Sequence, residues 1–189
     1  DPQIDEQLRR RGPQRGLLEA LYKTGELKLD YDTAMTRNAA QAFDARAGNC
    51  LSLVVMTAAF AKELGLQVRY QSAYLEETVS RSDNLMLRSG HVNITLARPF
   101  ADPRNPHHEA MTVDFLAPDD VRGLRTHEIS EAKVVAMFMN NRAVEALVDG
   151  RIDDAYAWAR EGVRQDPAFL GSLSTLGVVY LRRGALPQA

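Results

Sequence analysis

Several things are scarce in this chain, and each scarcity removes a class of protein. There is one cysteine, Cys50, among 189 residues. A single thiol excludes an internal disulfide framework and any zinc site built on several cysteines, but it does not fix the compartment. No apolar run approaches the roughly 20 residues that cross a bilayer, so no membrane span is expected. Neither sign of charge dominates: a formal net charge of −2 argues against general affinity for nucleic acid or an anionic membrane surface. Neither end carries a boundary signal. Asp1-Pro2 has no Met and no signal-peptide pattern, and Gln188-Ala189 falls inside a structural unit, so the sequence reads as a fragment of a longer protein. The compartment stays open: periplasm or cell envelope if a signal segment was removed, cytoplasm otherwise.

What is present is a hydrophobic content of 45%, enough for one domain of ordinary size or a compact domain with an appendage. Residues 3–25 read as one or two short helices punctuated by Arg11-Gly12-Pro13, with Leu17, Leu18, Leu21 and Tyr22 forming an apolar stripe. Leu27, Leu29 and Tyr31 suit a short extended segment. Asp32 or Thr33 is placed to cap a helix carrying Ala39, Ala40 and Phe43, which Gly48 would end. From Cys50 to Leu64 the chain is apolar nearly all round, the pattern of a helix at the centre of a domain, with Gly65 as its stop. Strand-like runs follow at Gln67–Leu75, His91–Ala97 and Met111–Leu116. Polar residues between Glu76 and Gly90, and prolines at 99, 103 and 106, predict two long loops of the kind that often act as lids.

After Pro118 the pattern turns helical and shows an internal period. Gly150 and Gly184 lie 34 positions apart (184 minus 150), as do Ala155 and Ala189, Leu147 and Leu181, and Val144 and Val178. Leu176-Gly177-Val178-Val179-Tyr180 and Asp166-Pro167 resemble elements of the tetratricopeptide repeat, whose period is about 34 residues. The first unit spans about Ala136 to Pro167, and a second starts near Ala168 and stops within itself. The plainer alternative is an ordinary helical hairpin. The expected division is residues 1–125 as one domain and 126–189 as a helical segment.

The candidate chemistry centres on Cys50. Asn49 is a good N-cap, which puts Cys50 in the first turn of the buried helix, where the positive end of the helix dipole favours thiolate. The free N–H groups of that turn can hold a developing oxyanion. His91 opens a strand on which His91, Asn93 and Thr95 share one face and Val92, Ile94 and Leu96 the other. Asp114 stands between Val113 and Phe115, where a lone carboxylate is costly without a partner. Orienting an imidazolium would supply that partner. Taken singly each has a bland reading, since a cysteine in an apolar helix is commonly a small core residue. The three together also admit a metal-ligand reading.

Arg46-Ala47-Gly48-Asn49-Cys50-Leu51-Ser52, then Gly90-His91-Val92-Asn93, then Thr112-Val113-Asp114-Phe115, resembles the transglutaminase-like superfamily of papain-fold enzymes over roughly residues 15–120. That resemblance implies an α+β fold, with a nucleophile helix packed on an antiparallel sheet and a C-terminal α-helical tetratricopeptide segment, a combination similar to bacterial members. It implies Cys50 as nucleophile, His91 as general base and acid, and Asp114 as the orienting group. The implied activity is thiol-dependent acyl chemistry on a peptide or protein amide, by a cysteine peptidase, an amidase or an acyltransferase. The alternative is a non-catalytic interaction module whose repeats recruit a protein partner.

The sequence departs from the animal enzymes of that superfamily. Asn49 and Leu51 flank Cys50 where glutamine and tryptophan are usual, and the only tryptophan is Trp158. No acidic cluster resembles a calcium loop, and no residues call for a cofactor. Asn49 and Asn93 are weaker candidates for oxyanion or substrate contact, Asn49 being more simply a cap. His107-His108-Glu109 could ligate a metal but reads more simply as a solvated loop. Tyr70, Ser72 and Tyr74 share a strand face that suits the core, and Arg9-Arg10-Arg11 suits a solvated helix end.

Overall fold

The computed structural model describes residues 2–23, 29–33, 35–82, 85–98, 110–115 and 125–185. The protein is a mixed α+β chain with a small antiparallel sheet. It divides into two compact units, Asp1–Thr78 with Ser89–Glu128, and Val79–Arg88 with Ile129–Ala189.

In the first unit, α1 (Pro2–Arg11) and α2 (Pro13–Leu18) are separated by Gly12. Its φ of 78° is open to glycine at little cost. The chain continues in a wider π-type turn over Glu19–Lys23. Gly16 is where α1 and α2 meet, since a Cβ there would lie 2.5 Å from the Gln7 carbonyl oxygen. A buried Gln14 donates to the Leu96 carbonyl at 3.0 Å and so ties α2 to the sheet.

A two-residue strand, β1 (Asp30–Tyr31), pairs in parallel with β2 (Ala47–Gly48), setting Tyr31 opposite Gly48. Between them lies α3 (Ala39–Ala45). Its cap is Asn38, with Gln41 completing a reciprocal capping box. The expected caps, Asp32 and Thr33, lie too far upstream. The helix ends at Arg46 in the left-handed region, φ 51°, and Gly48 belongs to β2 instead of ending it. Gly48 is also required for space: a Cβ would sit 2.7 Å from Ser52 Cβ.

The helix α4 (Cys50–Glu63) starts where the sequence placed it. Leu51, Leu53, Val54, Met56, Ala58 and Ala61 are all buried, and Gly65 follows with φ 69°. An asparagine N-cap, an apolar body and a glycine just past its end account for its limits.

The sheet contains β3 (Gln67–Ser82), β4 (Leu85–Ala97), β5 (Met111–Val113) and β6 (Thr126–Ile129), in the order β5-β4-β3-β6. The pair β4–β5 is antiparallel, with Ile94 opposite Val113 and Leu96 opposite Met111. Thr95 and Thr112 share a 2.8 Å hydroxyl hydrogen bond across that pair. Strand structure reaches through most of 76–90, correcting the loop expected there. The reason is physical: a ladder is held by backbone groups, which polar side chains leave available. β6 likewise corrects the expectation that everything after Pro118 is helical. The proline-rich segment falls at 99–109, outside the described residues, together with His107, His108 and Glu109.

In the second unit, α5 (Glu131–Val148), α6 (Ile152–Gln165) and α7 (Leu170–Arg182) pack around Ala143, Ala146, Leu147, Ala155, Ala159 and Val179. Small residues at this seam let the helices approach closely. α5 and α7 end identically, 34 residues apart. Gly150 and Gly184 have φ of 73° and 74°. Their N–H groups donate to Leu147 and Leu181, and the N–H groups of Arg151 and Ala185 to Ala146 and Tyr180. This is the glycine-terminated helix stop, used twice at the sequence period.

Candidate active site

Asn49 fixes the start of α4. Its side-chain oxygen accepts from the Ser52 N–H and from the Ser52 hydroxyl, each at 2.9 Å, and its amide donates to Thr36 Oγ1 at 2.9 Å. Both ends of the amide therefore serve capping and anchoring, with Thr36 itself buried. The Arg37 N–H donates to Ser52 Oγ at 2.8 Å, and Arg37 pairs with Asp32 at 2.6 Å. This mesh holds the turn that presents Cys50, a partly exposed residue whose thiol is in no disulfide.

His91 enters from β4. Its side chain is only 2% exposed. Its Nε2 lies 2.7 Å from Asp114 Oδ1, and the ring also hydrogen-bonds the Cys50 side chain. With Nε2 engaged by the carboxylate, Nδ1 is the nitrogen left for the thiol. Asn93, two residues along on the same face, donates to Asp114 Oδ2 at 3.0 Å. The carboxylate is thus gripped through both oxygens. Among the described residues, Asn93 Oδ1 is buried without a hydrogen-bond partner.

Asp114 does not lie inside a strand as the sequence suggested. It is the first residue beyond β5. The adjoining Phe115 ring packs against Tyr22, with centroids 5.2 Å apart. The Tyr22 hydroxyl shares a 2.6 Å hydrogen bond with Thr57 on α4. Phe115, the residue next to Asp114, is thus packed against the π-type turn, which is itself tied to α4.

The electrostatics follow from these contacts. Burial, the largest influence on His91, disfavours the imidazolium. Hydrogen bonds to Asp114 and Cys50 and the charges of both outweigh it, so the pKa is pushed up to about 9. His91 is therefore a proton carrier at neutral pH.

One residue at the site carried no sequence signal. The Tyr31 phenol accepts from the Cys50 backbone N–H and hydrogen-bonds its side chain. Tyr31 is 50% exposed. Burial raises its pKa, and the charge of the Cys50 side chain raises it further. The phenol keeps its proton at neutral pH and remains a donor.

Tyr70 is buried and Ser72 partly so, its hydroxyl 3.5 Å from the His91 carbonyl. The Tyr74 side chain lies outside the described residues. A hollow of about 310 Å³ is lined by Arg11, Arg15, Leu18, Glu19 and Met111, and none of Cys50, His91 or Asp114 borders it. Among the described residues no three His, Cys, Asp or Glu converge as metal ligands, and no helix is long and apolar enough to cross a membrane. No family model, no curated protein and no solved structure matches this chain.

Proposed function

We propose that the protein performs thiol-dependent acyl chemistry on a peptide or protein amide through Cys50, His91 and Asp114, as a member of the transglutaminase-like superfamily. The observation that carries this reading is the chain of contacts from the Cys50 side chain, through the buried His91 ring, to Asp114 Oδ1 at 2.7 Å. A buried imidazole held between a thiol and a carboxylate has the polarity that nucleophilic catalysis requires.

In the proposed reaction the Cys50 thiolate attacks the amide carbon. The C–S bond forms as the carbonyl electron pair moves onto oxygen. Return of that pair breaks the C–N bond, and His91 gives its proton to the departing nitrogen. Water then attacks the thioester, loses a proton to His91 and releases Cys50. An amine in place of water gives transfer; both outcomes share the first half. Asp114 holds the ring and favours its charged form, and Asn93 positions Asp114. The partial exposure of Cys50 supports access by substrate, whereas a sealed core cysteine would have no such role.

The helical segment supports the tetratricopeptide reading through its two matching helix stops 34 residues apart. Its proposed role is to recruit a protein partner or substrate.

The test is amide turnover. Purified protein is incubated with a diverse peptide pool, and new termini or amine adducts are identified by mass spectrometry. Loss of every such product in both Cys50→Ala and His91→Ala is expected. Products unchanged in Cys50→Ala would overturn the proposal.

A further inference from the structure

The proposed chemistry generates a negatively charged oxygen, and its stabilisation is the part the triad itself leaves open. The first turn of α4 offers the Cys50 N–H. A second donor is normally needed, and Asn49 is committed to Thr36 and Ser52.

The backbone already brings one to the place. The parallel pairing of β1 with β2 puts Tyr31 opposite Gly48, two residues before Cys50. Hydrogen bonds from the Asp30 N–H to the Arg46 carbonyl (2.9 Å) and from the Asp32 N–H to the Gly48 carbonyl (3.0 Å) fix that register on either side of Tyr31. The phenol oxygen hydrogen-bonds both the Cys50 backbone N–H and the Cys50 side chain. That is where the oxygen of a carbonyl under attack by Sγ must come, since it has to lie near the nucleophile and within reach of the same N–H. The half-exposed ring is not locked into the core.

Resting on the thiol-acyl reading above, we infer that Tyr31 is the second oxyanion donor, a catalytic residue that pairs with the Cys50 N–H. The arriving carbonyl oxygen takes the N–H from the phenol. The half-exposed Tyr31 side chain shifts aside, and its O–H turns from the sulfur to that oxygen and donates to it as the C–S bond forms. When the tetrahedral adduct collapses, the C=O bond re-forms and the O–H returns toward sulfur. No net proton leaves Tyr31.

Because Cys50 is the only cysteine, two small reagents separate this step from general thiol reactivity. Alkylation by iodoacetamide displaces iodide without an oxyanion. Acylation by p-nitrophenyl acetate passes through one. The purified protein is treated with each reagent, and the ratio of acylation to alkylation rates is compared between wild type and Tyr31→Phe. Loss of one such donor in an enzyme costs about 10²–10³-fold. With a half-exposed donor, a fall in the ratio of roughly 10- to 100-fold is expected. The same fall is expected in Tyr31→Leu, so a folding defect peculiar to one variant does not decide the outcome.

An unchanged ratio overturns the inference. If both rates rise together, the phenol merely covers the thiol, and if both fall together, it merely supports it. Rates that also ignore His91→Ala would indicate failure of the triad reading itself, a result distinct from an unchanged ratio in a protein whose Cys50 responds to His91.

Discussion

His91 Nε2 and Asp114 Oδ1 are 2.7 Å apart, and the His91 side chain is almost fully withdrawn from solvent. A buried imidazole would ordinarily titrate below the free value, yet here its pKa is raised from 6.5 to about 9. The folded state binds this proton more tightly than the unfolded chain. The stabilisation is therefore fully present below about pH 6.5 and is lost as pH rises through about 9. Denaturant unfolding at pH 6 and pH 9.5 is expected to show a loss of roughly 2–3 kcal/mol. In Asp114→Asn the loss should be smaller, because the partner that holds the proton is gone. Equal slopes in both proteins would contradict this assignment.

Gly48 is a place where shape alone is decisive. A methyl group there would approach Ser52 Cβ to 2.7 Å, and Ser52 is fully buried. Gly48→Ala is expected to cost about 1–3 kcal/mol and to slow Cys50 acylation by disturbing the turn. Thermal unfolding together with the p-nitrophenyl acetate rate measures both effects. A variant of normal stability would show that β2 can move away from α4 freely.

Asn49 makes a different prediction, because its contribution lies in hydrogen bonds. Asn49→Ala removes the cap on Ser52 and the link to Thr36, and should destabilise by about 1–2 kcal/mol. Asn49→Asp keeps the capping oxygens but loses the amide donor, so it should fall between wild type and alanine. Equilibrium unfolding of the three proteins gives the ranking.

Ser172 should behave in the opposite sense. Among the described residues its hydroxyl is buried without a hydrogen-bond partner, at the close approach to Gly162. Ser172→Ala removes an unsatisfied polar atom and little volume, so it should be neutral or stabilise by up to about 1 kcal/mol. A clear destabilisation in denaturant would show that the hydroxyl has a partner.

These residues also show what a sequence can disclose. Asn49, the apolar body of α4 and Gly65 made that helix legible because cap, burial and stop are all local signals. The His91 and Asn93 face was legible from alternation with Val92, Ile94 and Leu96. The strands through 76–90 were not, since side-chain polarity conveys nothing about backbone pairing between partners distant in sequence. Asp114 was expected inside a strand running from Met111 to Leu116, but the strand ends at Val113, and such boundaries are set poorly by local sequence. Tyr31 was invisible at the site for a stronger reason. Its position depends on two parallel two-residue strands separated by a helix, a contact with no periodicity to betray it. The matching stops at Gly150 and Gly184 were legible because repetition itself is a sequence property.

The most direct measurement of the central claim is the rate of iodoacetamide modification of Cys50 at pH 6, in wild type and in His91→Ala. A thiol paired with a charged imidazole should react readily at this pH, and loss of the imidazole should slow it at least about tenfold. Identical slow rates in the two folded proteins would contradict the account, because Cys50 would then be a bystander beside a structural His91–Asp114 pair.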